Sequence, residues 1–142
     1  MTVVIQTTAD GLAMVAQLAT RFPTVRIALD HCGRPNLEGG APYAACAGLF
    51  ALARYNNIYL KITPKTFELA QAAPGGADAF FPFLVKVFGA DHLAFGSNFP
   101  ASAGPLRDLI TQGQVCFAAL SDTDRVWIWG RTAQTLYPSL AD

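Results

Sequence analysis

Two rhythms of apolar residues alternate along this chain. Val3 to Thr7, Val25 to His31, Ile58 to Thr63 and Leu93 to Ser97 are short apolar runs of strand length. After each run the apolar spacing changes to three or four residues, the helical period. Leu12, Val15 and Leu18 share one face of a helix over Gly11 to Arg21, with Asp10 placed to cap it and Pro23 to stop it. Pro42 opens a second helix to about Tyr55, burying Cys46, Leu49, Phe50 and Ala53. A third connection has two parts, Thr66 to Ala73 and Ala77 to Phe88, broken at Pro74-Gly75-Gly76, with Pro82 in the first turns of the later part. Pro105 starts a helix to Leu120, and Ser121 to Asp124 lead into a last helix ending near Tyr137-Pro138.

The order is strand then helix, four times over, in one α/β domain spanning residues 1–142. Crossovers of this length predict parallel pairing. An open four-stranded sheet and one half of an eight-stranded barrel both satisfy the pattern, a whole barrel needing about 250 residues. Met1 is followed at once by a strand with nothing before it to cover its edge, which favours the half-barrel.

Alternation along each strand assigns its faces. Ile58, Leu60 and Ile62 share one side of the third strand, sending Tyr59, Lys61 and Thr63 to the other. In the fourth, Leu93 and Phe95 oppose Ala94, Gly96 and Asn98. Small residues leading up to a polar one suit the inside of a barrel mouth, and active sites collect at the C-terminal ends of parallel strands. The second strand is apolar at both parities, so its facing is the least determined. Gln6, His31, Lys61 and Asn98 form the converging set, with Arg34 in the loop beyond the second strand. An ammonium in an apolar strand needs a partner or a ligand, and an arginine can grip a substrate carboxylate through two parallel hydrogen bonds. His92 precedes the fourth strand, at the end away from this set, and reads as a surface residue.

Composition removes several function classes. Ten basic and ten acidic residues cancel, leaving no electrostatic footprint for nucleic acid. Half the residues are apolar and 14% are charged, rich for a small domain, so both sheet faces are covered or apolar surface awaits a partner. No apolar run approaches the roughly 20 residues that cross a bilayer. Cys32, Cys46 and Cys116 lack metal-ligand spacing; Cys46 and Cys116 lie in helical patterns as small core residues. An odd cysteine count without a leader peptide fits the cytoplasm. Leu37-Glu38-Gly39-Gly40 is not a phosphate loop, and Gly96-Ser97-Asn98 lacks the second glycine of a serine-nucleophile turn.

Three segments carry a family resemblance. Arg26-Ile27-Ala28-Leu29-Asp30-His31-Cys32-Gly33-Arg34-Pro35, Asn57-Ile58-Tyr59-Leu60-Lys61-Ile62-Thr63 and Asp91-His92-Leu93-Ala94-Phe95-Gly96-Ser97-Asn98-Phe99-Pro100 are similar to the sixth, seventh and eighth strands of the amidohydrolase-related ("amidohydrolase 2") TIM-barrel group, which includes lactonases and decarboxylases. The ending from Gly130-Arg131-Thr132-Ala133 to Leu136-Tyr137 resembles the group's last helix. The resemblance implies a parallel (βα)₄ half of a TIM barrel, strands five to eight. It places His31 at the sixth-strand active-site position and Asn98 where the group carries the eighth-strand carboxylate. The fifth-strand histidine falls near Gln6, and the first-strand His-x-His pair has no counterpart.

The resemblance implies hydrolysis of a lactone, ester or amide bond in a small carboxylated substrate when the site is complete, with little activity expected of the chain alone. His31 and Asn98 would be catalytic; Lys61, Arg34 and Gln6 would bind substrate. An amide orients water but cannot take its proton, a task worth on the order of 10²–10⁴-fold. Zinc needs three or four N, S or O⁻ donors, so no tightly bound metal is expected unless a missing half supplies ligands. The partner would be an N-terminal half-barrel chain or a second copy. The alternative is a catalytically inactive half-barrel that self-associates or binds a partner.

Overall fold

A computed structural model describes residues 1–141. Four parallel strands, β1 (Thr2–Ile5), β2 (Arg26–Leu29), β3 (Ile58–Ile62) and β4 (Leu93–Phe95), form one sheet in sequential order. Helices α1 (Leu12–Arg21), α2 (Ala47–Phe50), α3 (Pro64–Ala72) and α4 (Gly76–Phe88) lie in the crossovers. After β4 come α5 (Leu106–Cys116), α6 (Asp122–Val126), a π-helical turn (Trp127–Arg131) and α7 (Thr132–Leu136). No helix among the described residues is long and apolar enough to cross a membrane.

Alternation gives the sheet two unlike faces. Ile27, Leu29, Ile58, Leu60, Ile62 and Leu93 are buried on the helix-packed face, in a core shared with Val15, Phe67, Phe81 and Leu84. Phe67, Phe81, Phe95, Phe117 and Trp129 extend that core as a chain of ring contacts between α3, α4, β4, the end of α5 and the π-helical turn. The opposite, open face carries Ala28, Tyr59 and Ala94 in one layer, covered by Leu136 and Tyr137. Thr2 Oγ1 donates to the Leu136 carbonyl at 2.5 Å, tying the chain's end beneath that face. The layer above it, toward the strands' C-terminal ends, is polar. At the edge, β1 leaves Val3 and Val4 37% and 43% exposed.

Several predicted boundaries move, each for a local reason. Asp10 does not cap α1: a 3₁₀ turn, Ala9–Gly11, comes first and Gly11 is the cap residue. A Cβ at Gly11 would lie 2.0 Å from Thr7 Oγ1, so a side chain there would force the threonine hydroxyl to turn away. The helix expected from Pro42 instead begins at Ala44, because Tyr43 takes a left-handed conformation (φ 56°). It runs as two 3₁₀ turns around the single α turn of α2 and buries Cys46, Leu49 and Leu52, with Phe50 and Ala53 half-buried. Pro82 is the seventh residue of α4, past the opening turn, and its missing N–H costs one helical bond. Burial of Phe80, Phe81 and Leu84 around it holds the helix together. His92 is not a free surface group. Its Nδ1 lies 2.7 Å from the Ile58 carbonyl and its ring stacks on Tyr59.

Tyr43 is almost wholly buried between Phe80 and Phe83, and its hydroxyl has no hydrogen-bond partner among the described residues. An unpaired buried polar group carries a penalty of about 1–3 kcal/mol. Tyr43→Phe is therefore expected to raise unfolding stability by about 1 kcal/mol in urea titration. A loss of stability would show that the hydroxyl has a partner.

Candidate functional site

The site begins with register. Ala28 pairs with Tyr59 and Leu29 with Leu60, so the next step sets Asp30 level with Lys61 on the open face. Lys61 Nζ lies 2.5 Å from Asp30 Oδ1, each side chain about three-quarters shielded. Lys61 thus has the partner its place in an apolar strand requires. Alternation along β2 would have sent His31 to the helix-packed face with Leu29. The strand ends first: His31 and Cys32 both adopt left-handed backbone (φ 53° and 52°). That turn brings His31 Nδ1 to 2.7 Å from Thr63 Oγ1, at the cap of α3.

His31 is 7% exposed, and its Nε2 has no partner among the described residues. Either tautomer of the ring leaves that nitrogen for a ligand: as an acceptor if Nδ1–H donates to Thr63, as a donor if the threonine hydroxyl donates to Nδ1. Burial is the main reason its pKa falls below 6.5; Asp30 opposes the shift, while Lys65, Arg34 and Lys61 add to it. The imidazole is therefore neutral at pH 7, beside three cations. Cys32 is fully buried, its thiol pushed up to about 12 by desolvation, so it is no nucleophile.

The remaining predicted residues take separate places. Arg34 is exposed in a left-handed turn (φ 54°) and lines an open pocket of about 550 Å³ with Glu38, Lys65 and Glu68. Asn98 sits beyond β4 in another left-handed turn (φ 52°), its amide donating to Ser102 Oγ at 2.9 Å. No hydrogen bond joins it to His31 or Lys61 among the described residues. Gln6 is exposed past the end of β1. Position 96 matters through its lack of a side chain: a Cβ there would contact Thr63 Cγ2 at 3.7 Å and Lys61 Cε at 4.0 Å. Glycine thus leaves space directly against the lysine and the threonine.

Asp30, Thr63 and Lys65 were missed by sequence reasoning. Asp30 was within reach, since it shares the parity of Ala28, the small residue on the open face. Thr63 could be assigned to that face but not paired with His31, because nothing in the pattern announces a left-handed histidine. Lys65 follows from Thr63-Pro64 as a helix start, which puts it in the first turn of α3.

Unfolded chains take up a proton at a histidine near pH 6.5, whereas folded His31 does so only at lower pH. The linked stability is present above about pH 6.5 and is lost as pH falls toward the lowered folded value. The His31 ring resonances are expected to titrate below 6.5, and His31→Gln to flatten the decline in urea stability across that window. A midpoint at or above 6.5 would contradict this environment.

The model of the Amidohydrolase family matches residues 1–139. An L-fucono-1,5-lactonase of Burkholderia ambifaria is 28% identical over an alignment covering 89% of this chain and 46% of that protein. Among solved structures, an amidohydrolase of Burkholderia multivorans with bound zinc superposes with a TM-score of 0.75 at 20% identity, over 96% of this chain and 52% of that one. A Pseudomonas putida protein assigned as a 2-pyrone-4,6-dicarboxylic acid hydrolase gives 0.73 at 20% identity, over 95% and 50%. The chain spans about half the length of these relatives, and its four-stranded parallel sheet matches part of a TIM-barrel fold. With a family model aligned from its first strand to its last helix, this chain belongs to the amidohydrolase family.

Proposed function

We propose that the chain supplies the C-terminal half of a hydrolase site, strands five to eight of the barrel, for a lactone, ester or amide of a small carboxylated substrate. The observation that carries this reading is the layer at the strand ends: a neutral, nearly buried His31 held by Thr63, next to the Asp30–Lys61 pair. Nε2 of His31 contacts the carbonyl oxygen or the attacking water. Lys61, Arg34 and Lys65 make the rim electropositive, which favours a carboxylate and stabilises charge developing on oxygen. Asn98 orients water without taking its proton. The similarity to a lactonase supports the ester-like end of this range.

Zinc, which the B. multivorans relative binds, does not fit the donors present. Nδ1 of His31 is taken by Thr63, Asp30 by Lys61, and the amide of Asn98 by Ser102. No group of three or more His, Cys, Asp or Glu side chains converges among the described residues. A structural or catalytic zinc needs at least three such ligands.

A second reading rests on the β1 edge. Met1, Val3, Ile5, Leu18, Phe22, Val25 and Ile27 line an apolar groove of about 260 Å³ beside a strand with one unpaired side. Unprotected edges recruit strands, so a second copy or an N-terminal half-barrel would pair there. In sedimentation velocity this reading expects a dimer. A well-folded monomer would count against it.

Reconstitution tests the hydrolase reading. The chain is combined with the part of the B. ambifaria lactonase that it does not span, and assembly is checked by sedimentation. Hydrolysis of L-fucono-1,5-lactone is expected to exceed that of either part alone, and His31→Ala to lower it by about 10²-fold or more. An assembled pair that stays inert toward lactones, esters and amides would overturn the proposal.

A further inference from the structure

The poor fit to zinc leaves a question about charge. A hydrolytic site needs something positive where the carbonyl oxygen becomes negative, and the open face has one cation locked in place at the strand ends. Lys61 rises from the middle of the polar layer, and Asp30 Oδ1 fixes its ammonium at 2.5 Å. An ammonium has three N–H donors; the carboxylate takes one direction and leaves others for a ligand. Below the lysine, its backbone carbonyl accepts from Sγ of the buried Cys32 at 3.7 Å, a contact that ties the turn after β2 to the strand at this point. Beside it, Gly96 offers no side chain, and the volume a Cβ would fill borders both Lys61 Cε and Thr63 Cγ2. Thr63 in turn holds His31. The lysine stem and the vacant volume at position 96 therefore adjoin, with the threonine that holds His31 on the same border. Arg34 and Lys65, the other nearby cations, line the outer pocket beside α3 instead.

We propose that Lys61, positioned by Asp30, is the cation that binds the ligand's anionic or carbonyl oxygen against Gly96. The inference deepens the proposed function and rests on the same site. Asp30 is a positioning residue in this arrangement: it fixes the ammonium's direction and does not itself touch the ligand. Substitutions that remove the charge or fill the space at position 96 both weaken the subsite, whereas removing a cation away from the strand ends does not. Adding zinc changes nothing.

The test reads binding to the chain as it stands, by amide NMR with malonate as the probe, and zinc retention in a separate sample. Malonate is expected to shift the Thr63 and Gly96 amides saturably. Lys61→Met should weaken this by about tenfold or more, the loss of one charge-assisted hydrogen bond. Gly96→Ala, whose Cβ makes only ordinary contacts, keeps the lysine and fills the space, so it weakens binding too and guards against a misfolded lysine variant. Lys86→Met, in the last turn of α4 and outside the site, stays within about threefold of the unmodified chain. After dialysis against zinc chloride, no stoichiometric zinc remains. Absence of saturable shifts, undiminished binding in folded Lys61→Met or Gly96→Ala, or one zinc retained per chain would overturn the inference. An inert reconstituted pair with malonate binding intact would overturn hydrolysis alone.

Discussion

The alignment of β2 with β3 governs the rest of the site. Parallel pairing of Ala28 with Tyr59 carries forward by two residues to put Asp30 against Lys61. A slip of one position would turn Lys61 into the helix-packed core, where an unpaired ammonium is expensive. The ion pair and the apolar pattern thus enforce the same register. Once it is set, Thr63 stands at the cap of α3 and the left-handed turn after β2 delivers His31 to it.

That constraint also divides the open face into levels. Ala28, Tyr59 and Ala94 form a lower, apolar level closed by Leu136 and Tyr137. The polar residues occur one step higher, at the strands' C-terminal ends. Support comes from below and behind: the aromatic chain from Phe67 to Trp129 fixes α3, whose first turn carries Lys65 and whose cap holds the histidine. Reactive groups at this rim depend on rigid neighbours rather than on loops. Asn98, by contrast, is held within its own turn by Ser102.

Much of this was legible in the amino-acid order, and the failures have physical causes. Strand positions, parallel pairing and the facing of Lys61, Ala94 and Gly96 follow from alternation, which sterics impose on every strand. Cys46 and Cys116, read as small core residues, are buried. The facing of His31 could not be read, because β2 is apolar at both parities and the strand stops before the histidine. Its role depends on φ values near +50° at two successive non-glycine residues, a conformation that propensity disfavours and tertiary contacts must enforce. Asp30 was passed over beside its more conspicuous neighbour, although strand parity placed it correctly. The helix from Pro42 was misjudged because Tyr43 breaks it with the same left-handed backbone.

The account depends most on Asp30 and Lys61 being coupled in solution. A double-mutant cycle with Asp30→Asn, Lys61→Met and the pair, followed by urea unfolding, measures that directly. Coupling of about 0.5–3 kcal/mol is predicted for two partly shielded charges in contact. Additive losses, with coupling near zero, would mean that the strands do not hold these groups together, and the site built on them would not stand.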